Sequence, residues 1–207
     1  MAPETTPPGG ATRYLQTSLG LLSYTQLAPL LAERVLRVER ELASGAFAAQ
    51  SQFPDLVLDL HQRIAGDLCP DWAGRLRIAD VRVGEHHPPP PHRVPVLMRD
   101  YGEDLRVRLE NASGHRDDLL LETLAFAEGR LLSIHPFTDF NGRVTRLFLR
   151  EILRRMELPP VDLVPTDAPG ETTYRAALRA GDALDWRPLM SVWQQRFEQF
   201  MERPDNA

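Results

Sequence analysis

The 207-residue chain has one cysteine, Cys69. A disulfide within the chain is excluded, and a cysteine-based zinc site has too few ligands. Cys69 stands beside Pro70 and reads either as a nucleophile or, more simply, as a small buried apolar residue. No apolar run approaches the roughly 18 residues needed to cross a bilayer, so no membrane association is expected. The start, MAPETTPPGG, has no basic segment leading into an apolar one. A cleaved secretory signal is therefore not expected, and the expected location is cytoplasmic. A basic excess is missing as well. The net charge of −5 argues against a general nucleic-acid binder, although a local basic pocket is compatible with it. No internal repeat is present.

What is present is a composition of 43% hydrophobic and 26% charged residues, typical of a globular domain. Residues 1–11, rich in Pro, Thr and Gly, read as a disordered tail. Leu31, Val35, Val38 and Leu42 share one helical face in a segment running from Pro29 to Ser44, with Gly45 placed to end it. Val57, Leu60, Ile64 and Leu68 repeat the spacing over 55–68. RLRIADVRVG then alternates apolar and polar residues with a slip at Ala79-Asp80, which predicts a bulged strand. Pro88 to Pro91 permit neither helix nor central strand, and HRVPVLMRDY is expected to return as an edge strand. Helical spacing resumes near Leu105, over 116–133, over 142–156, over 171–181 and over 187–201. The expected fold is mainly α with one inserted β-hairpin. Residues 12–52 form a helical extension, 53–201 the main domain and 202–207 a tail.

The densest chemistry lies in HPFTDFNGRVTR, His135 to Arg146. Asn141-Gly142 admits a type I′ turn between strands, but the helical spacing of Val144, Leu147 or Phe148, Ile152 and Met156 favours Asn141 as a helix N-cap. Arg143 and Arg146 then stand at the positive end of a helix dipole, where cations are disfavoured by a few tenths of a kcal/mol each. A polyphosphate there reverses the sign of every term, because backbone N–H groups, dipole and guanidinium forks all face it. Asp139 reads as a helix-start charge, a partner of either arginine or, beside phosphates, a ligand of Mg²⁺. His135 reads as a favourable charge at a helix end or as a proton acceptor for a hydroxyl. Arg143, Arg146, Arg150 and Arg154 also fit an ordinary solvated face. With all three elements functional, the site transfers a group from a nucleotide to a hydroxyl.

HPFTDFNGRVTR resembles the signature of the Fic (filamentation induced by cAMP) family, His-x-Phe-x-Asp/Glu-Gly/Ala-Asn-Gly/Lys-Arg-x-x-Arg. His135, Phe137, Asp139, Asn141, Gly142, Arg143 and Arg146 all match. The likeness extends to LHQRIAGDLCPDWAGRLRIADVRVG and YRAALRAGDALDWRPL, and so covers about 56–200. It implies a Fic fold with a β-hairpin flap and a protein adenylyltransferase that moves AMP from ATP to a Ser, Thr or Tyr hydroxyl and releases pyrophosphate. Relatives that transfer UMP, phosphate or phosphocholine leave the donor open, and a non-catalytic nucleotide-binding module on the same fold is the other alternative. By position, His135 is the implied base and Asp139 the implied Mg²⁺ ligand. Asn141 and Gly142 are the implied anion nest, Arg143 and Arg146 the phosphate ligands, and Phe137 a core anchor. Phe140 departs from the family's Gly or Ala at a place where backbone approaches phosphate, with its ring directed either away from or toward the nucleotide. Tyr174 corresponds to a tyrosine near the base pocket, or to ordinary helix packing.

The resemblance also makes 77–98 the flap that holds an extended target segment by strand addition. His86, His87 and His92 admit a metal site but read more simply as solvated loop residues, and His61 as a packed histidine. Many family members are restrained by Ser/Thr-x-x-x-Glu-Gly/Asn, whose glutamate pairs with the first arginine. Glu128-Gly129 comes nearest, but Leu124 holds the Ser/Thr position. Restraint through that motif is not expected here, and a separate antitoxin-like partner, or no such restraint, fits instead.

Overall fold

The computed structural model describes residues 13–50, 53–112 and 117–203. The tail expected at 1–11 and residues 204–207 lie outside them. Helix α4 (Asp117–Ile134) is buried on every side from Thr123 to Gly129. Such a helix must sit at the centre. It packs against α3 (Val94–Ala112), α5 (Asn141–Arg155), α6 (Ala168–Asp182) and α7 (Arg187–Met201). Gly129 permits this closeness: a Cβ there would come within 2.7 Å of the Trp186 ring. Helix α5 also rests on α1 (Tyr24–Ala43) and α2 (Phe53–Ala65), so its N-terminus emerges where both layers meet. The mainly α class is as expected.

The expected hairpin is not where the alternation placed it. Among the described residues, the two-stranded sheet is β1 (Tyr14–Thr17) paired antiparallel with β2 (Gly20–Ser23), inside the stretch expected to be a helical extension. HRVPVLMRDY forms no strand. A 3₁₀ turn at Pro91–Arg93 leads directly into α3, with Pro95 near its start, where a missing N–H costs nothing. Val94, Met98, Tyr101 and Leu105 form its buried stripe, a helical period that the proline obscured. Residues 77–90 form no helix or strand beyond one isolated bridge, Val83 to His86. Ile78 is 95% exposed on that segment.

Helix α1 begins at Tyr24 rather than Pro29, which lies inside it. The Ser23 and Gln26 capping box sets the start, and Gly45, at φ 77, follows the C-cap. Helix α2 starts at Phe53 and stops at Ala65, three residues short of Leu68.

Candidate active site at the α4–α5 loop

The loop from His135 to Phe140 connects the C-terminus of α4 to the N-terminus of α5. Both of its end residues adopt the left-handed region, His135 at φ 50 and Phe140 at φ 60. A non-glycine residue there costs of order 1–3 kcal/mol and persists only where its surroundings hold it. Three contacts do so. The Asn141 side chain accepts from the Phe137 N–H and donates to the Phe137 carbonyl, each at 2.9 Å. Arg77 donates through its N–H to Pro136 O (2.8 Å), through Nε to His135 O (2.8 Å) and through Nη2 to Ile134 O (3.4 Å). Its cation thus sits at the negative end of α4 and ties the flap segment to the loop. His61 stacks on Phe137 with 3.8 Å between ring centroids. Its Nδ1 accepts from the Gly74 N–H (2.8 Å), so Nε2 carries the proton and donates to Asp139 O (3.2 Å).

Asn141 is therefore not the N-cap. Phe140 occupies that position, and the Asn141 side chain closes the preceding loop instead. The Phe140 ring turns into the core against Trp72, with centroids 5.6 Å apart, and its N–H donates to Asp139 Oδ1 at 2.7 Å. A phenylalanine fits this position because its ring is buried in the core, with the Arg143 guanidinium 5.9 Å from the ring centroid.

Burial lowers the His135 imidazole to about 3, with a hydrogen bond to the Leu132 backbone working the other way. It is neutral at physiological pH and able to accept a proton. Asp139 is 8% exposed. Burial raises its pKa, while Arg13, the Phe140 N–H and Arg143 pull it back. Its Oδ2 accepts from Arg13 Nη2 at 2.7 Å and from the Tyr24 hydroxyl.

Arg143 and Arg146 present the opposite condition. Burial lowers the pKa of both, and among the described residues neither has a carboxylate within ion-pair distance. They line a cavity of about 470 Å³ with Leu147, Arg150, Ala28, Ala32, Glu39 and Asp162, and its two carboxylates are paired with Arg150 and Arg203. Arg150 is held by Glu39 at 3.0 Å. Gly142 lies beside this space, where an added Cβ would meet only the head of Arg146, at 3.4 Å. The helix start leaves the N–H groups of Asn141 and Gly142 without intrahelical acceptors. Cations, N–H groups and dipole together suit an anion with several oxygens.

Tyr174 is drawn elsewhere. Its hydroxyl donates to Glu128 Oε1 at 2.6 Å, and Glu128 pairs with Arg196 at 2.7 Å. Glu128 is thus committed to Arg196. His86 contacts Ser133 O and Asp182, each at 3.0 Å, and no cluster of three or more metal-ligand side chains occurs among the described residues. Burial pushes the Cys69 thiol up to about 11, which suits packing rather than attack. With one carboxylate beside an anion cradle, the donor set fits Mg²⁺, which keeps several waters and takes oxygens from phosphates. The sequence reading overlooked Arg77, Arg13 and Tyr24. Arg77 ends the run Ala73-Gly74-Arg75-Leu76-Arg77 within the stretch that resembles the family, the one local signal available. Arg13 and Tyr24 lie 126 and 115 residues from Asp139, with nothing local to mark them.

Solved structures share this architecture. The N-terminal Fic domain of Bep8, a VirB-translocated effector from Bartonella sp. 1-1C, matches with TM-score 0.73 at 17% identity, over 98% of this chain and 96% of that one. Fic-1 (residues 134–508) of Caenorhabditis elegans matches with TM-score 0.58 at 29% identity, over 78% of this chain and 46% of that one. The fold is that of a Fic domain. Residues 52–153 match the Fic/DOC family model, and the chain belongs to that family. In sequence it is 33% identical over 149 residues to the protein adenylyltransferase fic-1 of C. elegans, a match covering 72% of this chain and 28% of that protein.

Proposed function

We propose that the protein is a Mg²⁺-dependent protein adenylyltransferase that moves AMP from ATP to a Ser, Thr or Tyr hydroxyl of a target protein. The observation that carries this reading is the pair of half-buried arginines without carboxylate partners at the start of α5, one loop away from a neutral histidine. The activity in the name of the C. elegans relative supports it. Arg143, Arg146 and the N–H groups of Asn141 and Gly142 bind the phosphates. Asp139 holds Mg²⁺, which when bound offsets charge on the phosphate oxygens. His135 takes the proton as the target hydroxyl oxygen bonds to the α-phosphorus, and the bond from that phosphorus to pyrophosphate breaks. The ATP charge raises the basicity of the imidazole as it binds. Phe140 positions Asp139 through its N–H, with its ring beside the Arg143 guanidinium, and Tyr174 is bonded to Glu128.

The segment 77–90, with Ile78 exposed, is the surface we assign to the target, held by strand addition. An antitoxin-like partner reaching Arg143 would restrain the enzyme from outside. The test is transfer of label from α-³²P-ATP with Mg²⁺ to a lysate protein or to the enzyme itself. His135→Ala should reduce labelling by about 10²–10⁴-fold, the usual contribution of a general base. Full labelling by that variant would overturn the mechanism.

A further inference from the structure

The β1–β2 hairpin sits against the site from outside the family-matched segment. Its tip is fastened to the end of α2, where the Ser18 N–H donates to Leu68 O (2.8 Å) and the Ser18 hydroxyl to Asp67 O (2.6 Å). Its base is closed by the Tyr24 N–H on Arg13 O (3.0 Å). Arg13 and Tyr24 are therefore neighbours across the hairpin, and the guanidinium lies over the Tyr24 ring, 4.8 Å from its centroid. Both send their donors to the same atom, Asp139 Oδ2. The other carboxylate oxygen, Oδ1, accepts from the Phe140 N–H. Each oxygen of the carboxylate is thus engaged, in a place where the Arg13 side chain is 15% exposed and that of Asp139 10%.

Arginine cannot give up its proton, and its charge has the same sign as a metal ion. Oδ2 has two lone pairs and Arg13 and Tyr24 take both, so a divalent cation on that oxygen displaces a donor and meets the guanidinium charge at close range. We propose that the β1–β2 hairpin is a built-in restraint: Arg13 and Tyr24 occupy the metal-binding oxygen of Asp139, and loading of Mg²⁺ with the nucleotide requires them to leave. The restraint rests on the reading of Asp139 as the metal ligand. It acts on the acidic half of the site, whereas Arg143 and Arg146 remain available to phosphate. The hairpin therefore separates two events: phosphates dock with Arg13 in place, and the metal enters only after Arg13 withdraws.

Calorimetry of the full chain with ATP in EDTA and with ATP in excess Mg²⁺ tests this. Arg13→Ala should tighten Mg·ATP by about tenfold, corresponding to about 1.4 kcal/mol. It should leave the affinity for metal-free ATP unchanged. Tyr24→Phe keeps the ring under the guanidinium and removes one donor, so it should tighten Mg·ATP by a smaller factor; it carries the test if Arg13→Ala fails to fold. Asp139→Asn should abolish the gain in ATP affinity that Mg²⁺ provides. If that gain persists in Asp139→Asn, the metal assignment fails and the restraint with it. If the gain is lost there while Arg13→Ala and Tyr24→Phe bind Mg·ATP as the wild type does, the restraint alone is overturned. Weaker binding of metal-free ATP by Arg13→Ala would make Arg13 a phosphate ligand and would also overturn it.

Discussion

Arg196, buried on α7, and the half-buried pair Arg143 and Arg146 on α5 are guanidiniums held in opposite ways. Arg196 donates to both Glu128 oxygens and to Leu163 O, and the Tyr174 hydroxyl completes the cluster. Arg143 and Arg146 face a cavity without a carboxylate partner among the described residues. Two histidines repeat the contrast. His61 has a protein partner on each ring nitrogen, while for His135 a hydrogen bond to the Leu132 backbone opposes the effect of burial. Satisfied polar groups lock α4, α6 and α7 around the loop. Arg143 and Arg146, at the start of α5, are left without such a carboxylate partner among the described residues.

The contrast breaks most sharply at Arg196. Arg196→Met leaves the buried Glu128 charge without its ion pair, bonded to the Tyr174 hydroxyl, which should cost about 3–5 kcal/mol in urea unfolding at pH 7. Acid comes next. Burial holds His61 to about 4 and His135 to about 3, both below the ordinary value. The unfolded chain protonates these residues near pH 6.5 and the folded chain only near those lower values. The stability they permit is complete above about pH 6.5 and is lost as pH falls toward 4 and then 3, by up to about 1.4 kcal/mol per unit for each histidine. Urea midpoints at pH 7, 6 and 5 should fall in that order, and the fall should be shallower in His135→Ala. A smaller effect sharpens the functional side. Arg143→Gln should weaken metal-free ATP binding by about tenfold, within the range for a hydrogen bond to a charged group. The same variant without nucleotide should unfold within about 0.5 kcal/mol of wild type, because no protein ion pair is lost. A large destabilisation there would place Arg143 with Arg196 as a structural cation.

Much of this was legible in the chain itself. The helical spacing after Asn141 and the cation pair at its head predicted a helix start made for an anion, and α5 begins there. The hairpin was misplaced because an apolar alternation over 76–83 reads the same whether or not another strand lies alongside. Pro95 suggested an edge strand where it instead begins a helix, since both settings tolerate a missing N–H. Asn141 kept its importance but changed its contact, from capping to closing the loop on Phe137.

The sequence by itself determined the mainly helical class, the start of α5 and the histidine loop before it, because these depend on residues within a few positions of one another. Tertiary structure decided which of those groups are already engaged. It turned the Phe140 ring inward, set Arg77 under the loop, and brought Arg13 and Tyr24 across more than a hundred residues to Asp139. Contacts at that separation depend on how the packed helices bring distant segments together, and local spacing carries no record of it.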